Sequence, residues 1–290
     1  MQPEPLLVSC NGVEIATNAF GRPGDPPVLL IMGATASMLW WPDAFCVALA
    51  SRGMHVLRFD NRDTGMSTHF PAGAPDYSIH DMVDDAVAVL DGWHLASAHL
   101  VGMSLGGWIS QILALTKPDR VRSLTLIAAE PLGPGDPEAA IGADFLAHFG
   151  ALSKLDWADR TAVTDWMVET ARLSGRRPFD ATAARERASA EWDRARGNLA
   201  SAFNHAALSG GEELAGQLSG LRPPLTLVHG TADPILPFAR ALAFSRIVPA
   251  ARLVPLEGAG HELHPTDWPE IIDEIARQVS GADRVSEPSR

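Results

Sequence analysis

The sequence predicts an α/β protein: a mostly parallel central sheet with helices on both faces and a helical lid inserted after the sixth strand. Three observations predict it. Strand-like and helix-like apolar segments alternate through the first half of the chain, and the alternation resumes at Leu225. Between these stretches the pattern is helical with no strand signal, and it opens on a breaker cluster, Pro131-Leu132-Gly133-Pro134-Gly135-Asp136-Pro137. Finally, Gly102-Met103-Ser104-Leu105-Gly106 stands between a short apolar run and a segment apolar at helical spacing, which is a strand–turn–helix setting.

Taken in order, residues 6–10 and 13–20 flank Asn11-Gly12, a strong hairpin signal. Strands are expected at 28–32 and 54–59, with a helix from Asp43 to Arg52 between them. Residues 78–91 place Ile79, Met82, Val83, Ala86, Val87 and Leu90 on one helical face. The apolar run 98–101 and the helix after Ser104 follow, then a strand at 122–129. The second half supplies a strand at 225–229, a helix at 238–247, a strand at 252–256 and a helix at 269–279. The expected organisation is a discontinuous core, residues 1–130 and 219–290, interrupted by a helical cap at 131–218. The polar residues 281–290 are expected to fray.

Composition narrows the class. With 46% apolar and 20% charged residues, the chain of 290 residues reads as an ordinary globular protein. Its longest apolar runs, 123–129 and 28–32, are too short to cross a bilayer, so no membrane partner is expected. Met1-Gln2-Pro3-Glu4-Pro5 has neither a basic start nor a long apolar block, which makes the cytoplasm the expected location. A formal net charge of −12 argues against a nucleic-acid partner. The basic cluster in residues 172–177 has acids nearby and reads as a solvated helix face. Cys10 and Cys46 offer no disulfide framework and read as small buried or part-buried residues.

The chemistry centres on Ser104. A serine on a sharp turn after a strand has its hydroxyl pushed out above the sheet, and flanking glycines remove side chains that would collide there. Such a hydroxyl is a weak nucleophile unless a base takes its proton and an acid orients that base. Asp233, just past the strand at 225–229, fits the acid, and His261, on the glycine-rich loop after the strand at 252–256, fits the base. Asp233 before Pro234 also reads as a plain turn residue, and Glu130 is a rival acid. A lone histidine is most often structural, but Gly258-Ala259-Gly260 leaves His261 sterically open. His264 and His261 lack the spacing that sets two imidazoles on one helix face, so no metal is expected.

An oxyanion needs two preorganised N–H donors. Leu105, directly after the nucleophile, supplies one, and Ala34 in the loop after the strand at 28–32 supplies the other. Gly33 and Met103 flank these positions as candidate substrate contacts, and Phe145 and Trp166 are candidates from the cap. Gly258-Ala259-Gly260 has Leu263 where a dinucleotide fingerprint needs glycine, and no phosphate-binding loop is present. Hydrolysis without a cofactor remains, of a small-molecule substrate.

With these residues in place the chain resembles the α/β-hydrolase superfamily outside the cap. Three stretches narrow that: Leu29-Leu30-Ile31-Met32-Gly33-Ala34 with Trp41-Pro42-Asp43-Ala44-Phe45, then Arg58-Phe59-Asp60-Asn61-Arg62-Asp63-Thr64-Gly65-Met66-Ser67-Thr68, then Ala86-Val87-Ala88-Val89-Leu90-Asp91-Gly92-Trp93. Together they are similar to anthracycline-tailoring methylesterases of the aclacinomycin methylesterase type. The resemblance implies an α/β-hydrolase fold and a serine hydrolase that removes a methyl ester from a bulky aromatic polyketide. It maps the triad onto Ser104, Asp233 and His261 and the oxyanion donors onto Ala34 and Leu105. A lactonase, a C–C bond hydrolase or a perhydrolase could use the same residues, and a receptor could keep the pocket without the chemistry. Ser104 disfavours dehalogenases and epoxide hydrolases, which carry aspartate there, and Met32-Gly33-Ala34-Thr35 disfavours prolyl aminopeptidases.

Overall fold

A computed structural model describes residues 5–133 and 141–286, so the end of the breaker cluster lies outside the described residues. Strands β1 (Leu6–Cys10) and β2 (Val13–Phe20) form the expected hairpin. Asn11 and Gly12 take φ values of 46° and 84°, the paired positive angles that a tight two-residue hairpin turn demands. Then come β3 (Pro27–Ile31), β4 (His55–Phe59), β5 (Ala98–Met103), β6 (Val121–Ile127), β7 (Leu225–Gly230) and β8 (Arg252–Leu256). These make one eight-stranded sheet ordered β1-β2-β4-β3-β5-β6-β7-β8. β2 is antiparallel to both neighbours, and every pairing from β4 to β8 is parallel.

Both faces of the sheet are covered, which explains why β3, β4, β5 and β7 are buried at every residue, polar His55, Arg58, His99, Thr226 and His229 included. The period of two divides them. Leu29, Ile31, Leu57 and Leu100 pack against α2 (Ile79–Gly92), α3 (Leu105–Thr116) and α7 (Phe238–Ile247). Val28, Leu30, Val56 and Val101 pack against α1 (Asp43–Ala50) and α8 (Trp268–Ser286). Each such aliphatic side chain contributes about 1.5–3 kcal/mol on burial, so these two layers dominate the stability of the fold.

Several boundaries shift by a residue or two, and two shifts have a local reason. β6 stops at Ile127 because Ala128 adopts a left-handed φ of 46°, which ends the extended run early. α8 continues past the expected end at Val279 to Ser286, running through Gly281, since no proline stands between Pro269 and Pro288 to stop it.

Between β6 and β7 lie α4 (Ala143–Gly150), α5 (Arg160–Ser174), α6 (Ala181–Arg194) and the 3₁₀ segments Leu199–Ala207 and Glu212–Gly220. Asp159 and Asp180 start α5 and α6 by accepting the N–H groups two and three residues on, at 2.9–3.1 Å. The insert has a small apolar centre, Val163, Ala195 and Leu199 with Trp157, Met167 and Trp192 around it. Among the described residues no helix is long and apolar enough to cross a membrane.

Candidate active site

Ser104 sits between β5 and α3 with φ 52° and ψ −119°, a conformation that side chains other than glycine rarely tolerate. The surroundings hold it there: its N–H donates to Ile127 O at 3.0 Å and its carbonyl accepts from Gly107 N at 2.8 Å. A Cβ on Gly106 would collide with the Ile31 carbonyl, and one on Gly102 with Gly106 O and Ser110 Oγ. The two motif glycines therefore answer to close backbone approach. A Cβ on Gly33 would lie 3.1 Å from Ser104 Cβ, so the loop after β3 runs directly against the serine.

The loops after β3, β5, β7 and β8 all leave the carboxyl edge of the parallel strands, so Ala34, Ser104, Asp233 and His261 share one end of the sheet. Asp233 Oδ2 lies 2.8 Å from His261 Nδ1, and Asp233 Oδ1 accepts from Ile235 N and Leu236 N, each at 2.8 Å. Burial pushes this carboxyl up, but the facing His261, its hydrogen bond and nearby His229 outweigh that and hold it below the usual carboxylate range. An ionised carboxylate only accepts, so His261 Nδ1 carries a proton, and in the neutral ring Nε2 then holds the lone pair. His229, buried behind Asp233, donates Nε2–H to Leu236 O at 2.6 Å and so stays oriented 3.5 Å from the carboxylate.

Leu105 is the first residue of α3, so its N–H has no acceptor within the helix and stands at the positive end of the helix dipole. Ala34 is exposed in the loop beside Ser104, and Thr35 next to it is left-handed at φ 64°. Glu130, the rival acid, pairs with Arg240. His264 Nδ1 accepts from Thr266 N at 3.2 Å and caps a short 3₁₀ turn.

The cap candidates separate. Trp166 lines an apolar cavity of about 40 Å³ with Thr35, Trp40, Trp157, Met167 and Phe203, next to the Ala34 loop. His148 stacks on Trp166 at 4.6 Å. Phe145 instead stacks on Phe149 at 4.5 Å. Gly33 lies against Ser104, and Met103 is 7% exposed and packs in the sheet core.

The insert also grips the site loops through polar contacts that sequence reading did not single out. His205 Nδ1 accepts from Thr35 N at 3.1 Å. Glu191 accepts from Ser37 Oγ at 2.7 Å, and Arg194 pairs with Asp60 at 2.8 Å. The carbonyl of Ser174 accepts from His261 N at 2.9 Å, and Gly142 N donates to Pro234 O at 2.7 Å. No motif announces these contacts, because each partner lies tens of residues away in sequence. The one local signal is Asp60 with Gly65: the carboxylate accepts from Met38 N and Met66 N, and a Cβ on Gly65 would strike it.

The α/β-hydrolase fold family matches residues 26–267, and the chain belongs to it. Within that family it is 31% identical over 273 residues to the rhodomycin D methylesterase of Streptomyces peucetius, covering 89% of this chain and 92% of the relative. A 2-hydroxymuconate semialdehyde hydrolase of Pseudomonas putida is 29% identical over 87% of this chain and 85% of its own length. Among solved structures, an esterase from Exiguobacterium antarcticum superposes with a TM-score of 0.76 at 18% identity, over 95% of this chain and 99% of that one.

Proposed function

We propose that this chain is a serine esterase that cleaves the methyl ester of a bulky aromatic, polyketide-like acid through an acyl-serine intermediate. Ser104 Oγ attacks the ester carbonyl while His261 Nε2 takes its proton, and Asp233 holds the ring and stabilises the imidazolium. The tetrahedral oxyanion is received by the N–H groups of Ala34 and Leu105. The alcohol leaves with the proton from His261, and a water activated by the same ring releases the acid. The observation that carries the reading is the 2.8 Å Asp233–His261 bond at the same sheet edge as a serine held at φ 52°.

The methylesterase likeness supports the ester, and the ring-lined cavity supports an aromatic acyl group. Trp40 Nε1 and Trp166 Nε1 are buried there without an acceptor, which suits a substrate bearing oxygen atoms. At about 40 Å³ the cavity holds little more than water, so a polycyclic substrate requires the insert side chains to part. Both cysteines are free, which suits a reducing cytoplasm. A C–C bond hydrolase is the second reading, supported by the muconate semialdehyde hydrolase likeness.

The test is turnover of p-nitrophenyl esters of rising chain length and of methyl esters of polycyclic acids, by the wild type and Ser104→Ala. The substitution should cost at least about 10³-fold in kcat with the melting temperature unchanged, because the elbow conformation belongs to the backbone. Retention of more than about a hundredth of the activity would remove Ser104 from the chemistry. An ester-inert wild type that cleaves a vinylogous diketone would favour the second reading. A serine inert to a fluorophosphonate as well would leave a binding protein.

A further inference from the structure

We infer that His205, contributed by the insert, is a positioning residue for the oxyanion loop: it accepts the Thr35 N–H, donates to the Arg62 carbonyl, and thereby fixes the backbone that presents the Ala34 N–H to Ser104. The inference rests on the reading of Ala34 as an oxyanion donor. Thr35 is the first reason. A β-branched residue at φ 64° persists only where its surroundings dictate it, and a loop free to relax would turn the neighbouring Ala34 amide away.

His205 supplies that constraint with both ring nitrogens. Nδ1 takes the Thr35 N–H at 3.1 Å, so it must carry the lone pair, and the proton on Nε2 is donated to Arg62 O at 2.8 Å. The ring is 5% exposed, so these two contacts hold it in the protein interior. Its far anchor is itself fixed, because the buried Arg62 guanidinium grips Asp85 on α2 at 2.6 and 2.7 Å. A continuous chain of buried bonds thus runs from α2 through Arg62 and His205 to the loop beside the nucleophile. Two residues on, Glu191 holds Ser37 through its Oγ at 2.7 Å and its N–H at 3.3 Å, so the loop is gripped from the insert at both ends. Burial favours the uncharged imidazole, the form that can accept a backbone N–H.

The competing account makes His205 a plain buried contact of the 3₁₀ segment Leu199–Ala207, which would affect folding and nothing else. The two side-chain amides separate the accounts. His205→Asn puts a carbonyl oxygen near the Nδ1 position, where it can take the Thr35 N–H. His205→Gln puts its amide near the Nε2 position, where it serves Arg62 O and leaves Thr35 unheld. His205→Ala loses both bonds.

The measurements are steady-state hydrolysis of p-nitrophenyl acetate, a substrate too small to need the cap, and the inhibition constant of phenylboronic acid, whose tetrahedral adduct fills the oxyanion hole. The Gln and Ala variants should lose about 10- to 100-fold in kcat with KM within about threefold, and should weaken the boronate by the same factor, as for a misplaced oxyanion donor. Asn should recover most of both. The inference is overturned if Gln and Asn behave alike, or if kcat and boronate affinity stay within about threefold while only the melting temperature falls. A wild type inert to every ester overturns the hydrolase reading and this inference together. An active wild type with indifferent variants overturns this inference alone.

Discussion

The core side and the insert side of the site are built by different means. On the core side, the candidate site is set by backbone: a serine forced to φ 52°, glycines where strands nearly touch, a helix N-terminus, and loops leaving one edge of a parallel sheet. On the insert side, nearby loops are held by ionisable side chains: buried His205 on Thr35 and Glu191 on Ser37, and half-buried Arg194 on Asp60. Backbone placement barely depends on conditions, whereas a grip through ionisable groups depends on pH and on every partner being present. The core should therefore tolerate change outside its reacting atoms, and the insert should pass changes in its polar contacts on to the site.

The largest effect tests the core side. Asp233→Asn should cost about 10⁴-fold in kcat, because an asparagine amide favours the tautomer of His261 that cannot take the serine proton. Glu130→Gln should leave kcat within a few fold, since Glu130 serves Arg240. Steady-state kinetics of the two variants on one ester decide this. A worse loss from Glu130→Gln would move the acid to the end of β6 and undo the backbone account of the core.

What was legible in the sequence divides along the same line. Asn11-Gly12 pointed to the hairpin, and the alternation of strand-like and helix-like segments pointed to a parallel sheet with helices on both faces, because those signals are local and periodic. Gly102 and Gly106 pointed to the elbow because close backbone approach leaves a compositional mark. The end of β6 was misjudged because alanine at φ 46° carries no such mark. His205 and Glu191 stayed invisible for a related reason. Their partners, Thr35 and Ser37, lie 170 and 154 residues away, and only the fold brings them together. Trp166 was separable from Phe145 only by side-chain direction, since both sit in the same aromatic-rich stretch.

The next effect concerns stability and puts a sign on the insert's sensitivity. Burial pushes the Glu191 carboxyl from its ordinary 4.5 up to about 7. The folded state then holds a proton that the unfolded chain releases. Stability from this group is complete below pH 4.5 and is lost as pH rises to 7, a difference of roughly 3 kcal/mol. Glu191→Gln keeps an acceptor for Ser37 and removes the titration. Denaturant unfolding of both proteins should agree near pH 4.5 and separate by up to about 3 kcal/mol in favour of the variant by pH 8. A difference independent of pH would place the ionisation elsewhere. His205 slopes the other way: burial lowers its pKa, so its contribution is present above about pH 6.5 and is lost on acidification. Asp233, held low, slopes the same way in the acid range, with its contribution lost as pH falls below about 4.

The smallest effect asks whether the insert selects substrate as well as holding loops. Trp166 borders the cavity beside the Thr35 loop, with its Nε1–H buried and unpaired, whereas Phe145 stacks on Phe149 outside that lining. If the cavity receives the acyl group, Trp166→Ala should shift the ratio of kcat/KM between a polycyclic methyl ester and p-nitrophenyl acetate by about tenfold, the size expected for one altered pocket contact. Trp166→Phe keeps an aromatic ring and removes the donor. It should lose selectivity only for substrates carrying an oxygen where the indole N–H reaches, because only those leave a hydrogen bond unmade. Phe145→Ala should lower the melting temperature and leave the ratio alone. The decisive measurement is the ratio rather than either rate, because a general loosening of the insert slows both substrates while a lost pocket contact slows one. Equal slowing of both by Trp166→Ala would reduce the insert to a clamp on the catalytic loops. A shift confined to the bulky ester would give it a second role, carried by its rings while its ionisable side chains hold the loops.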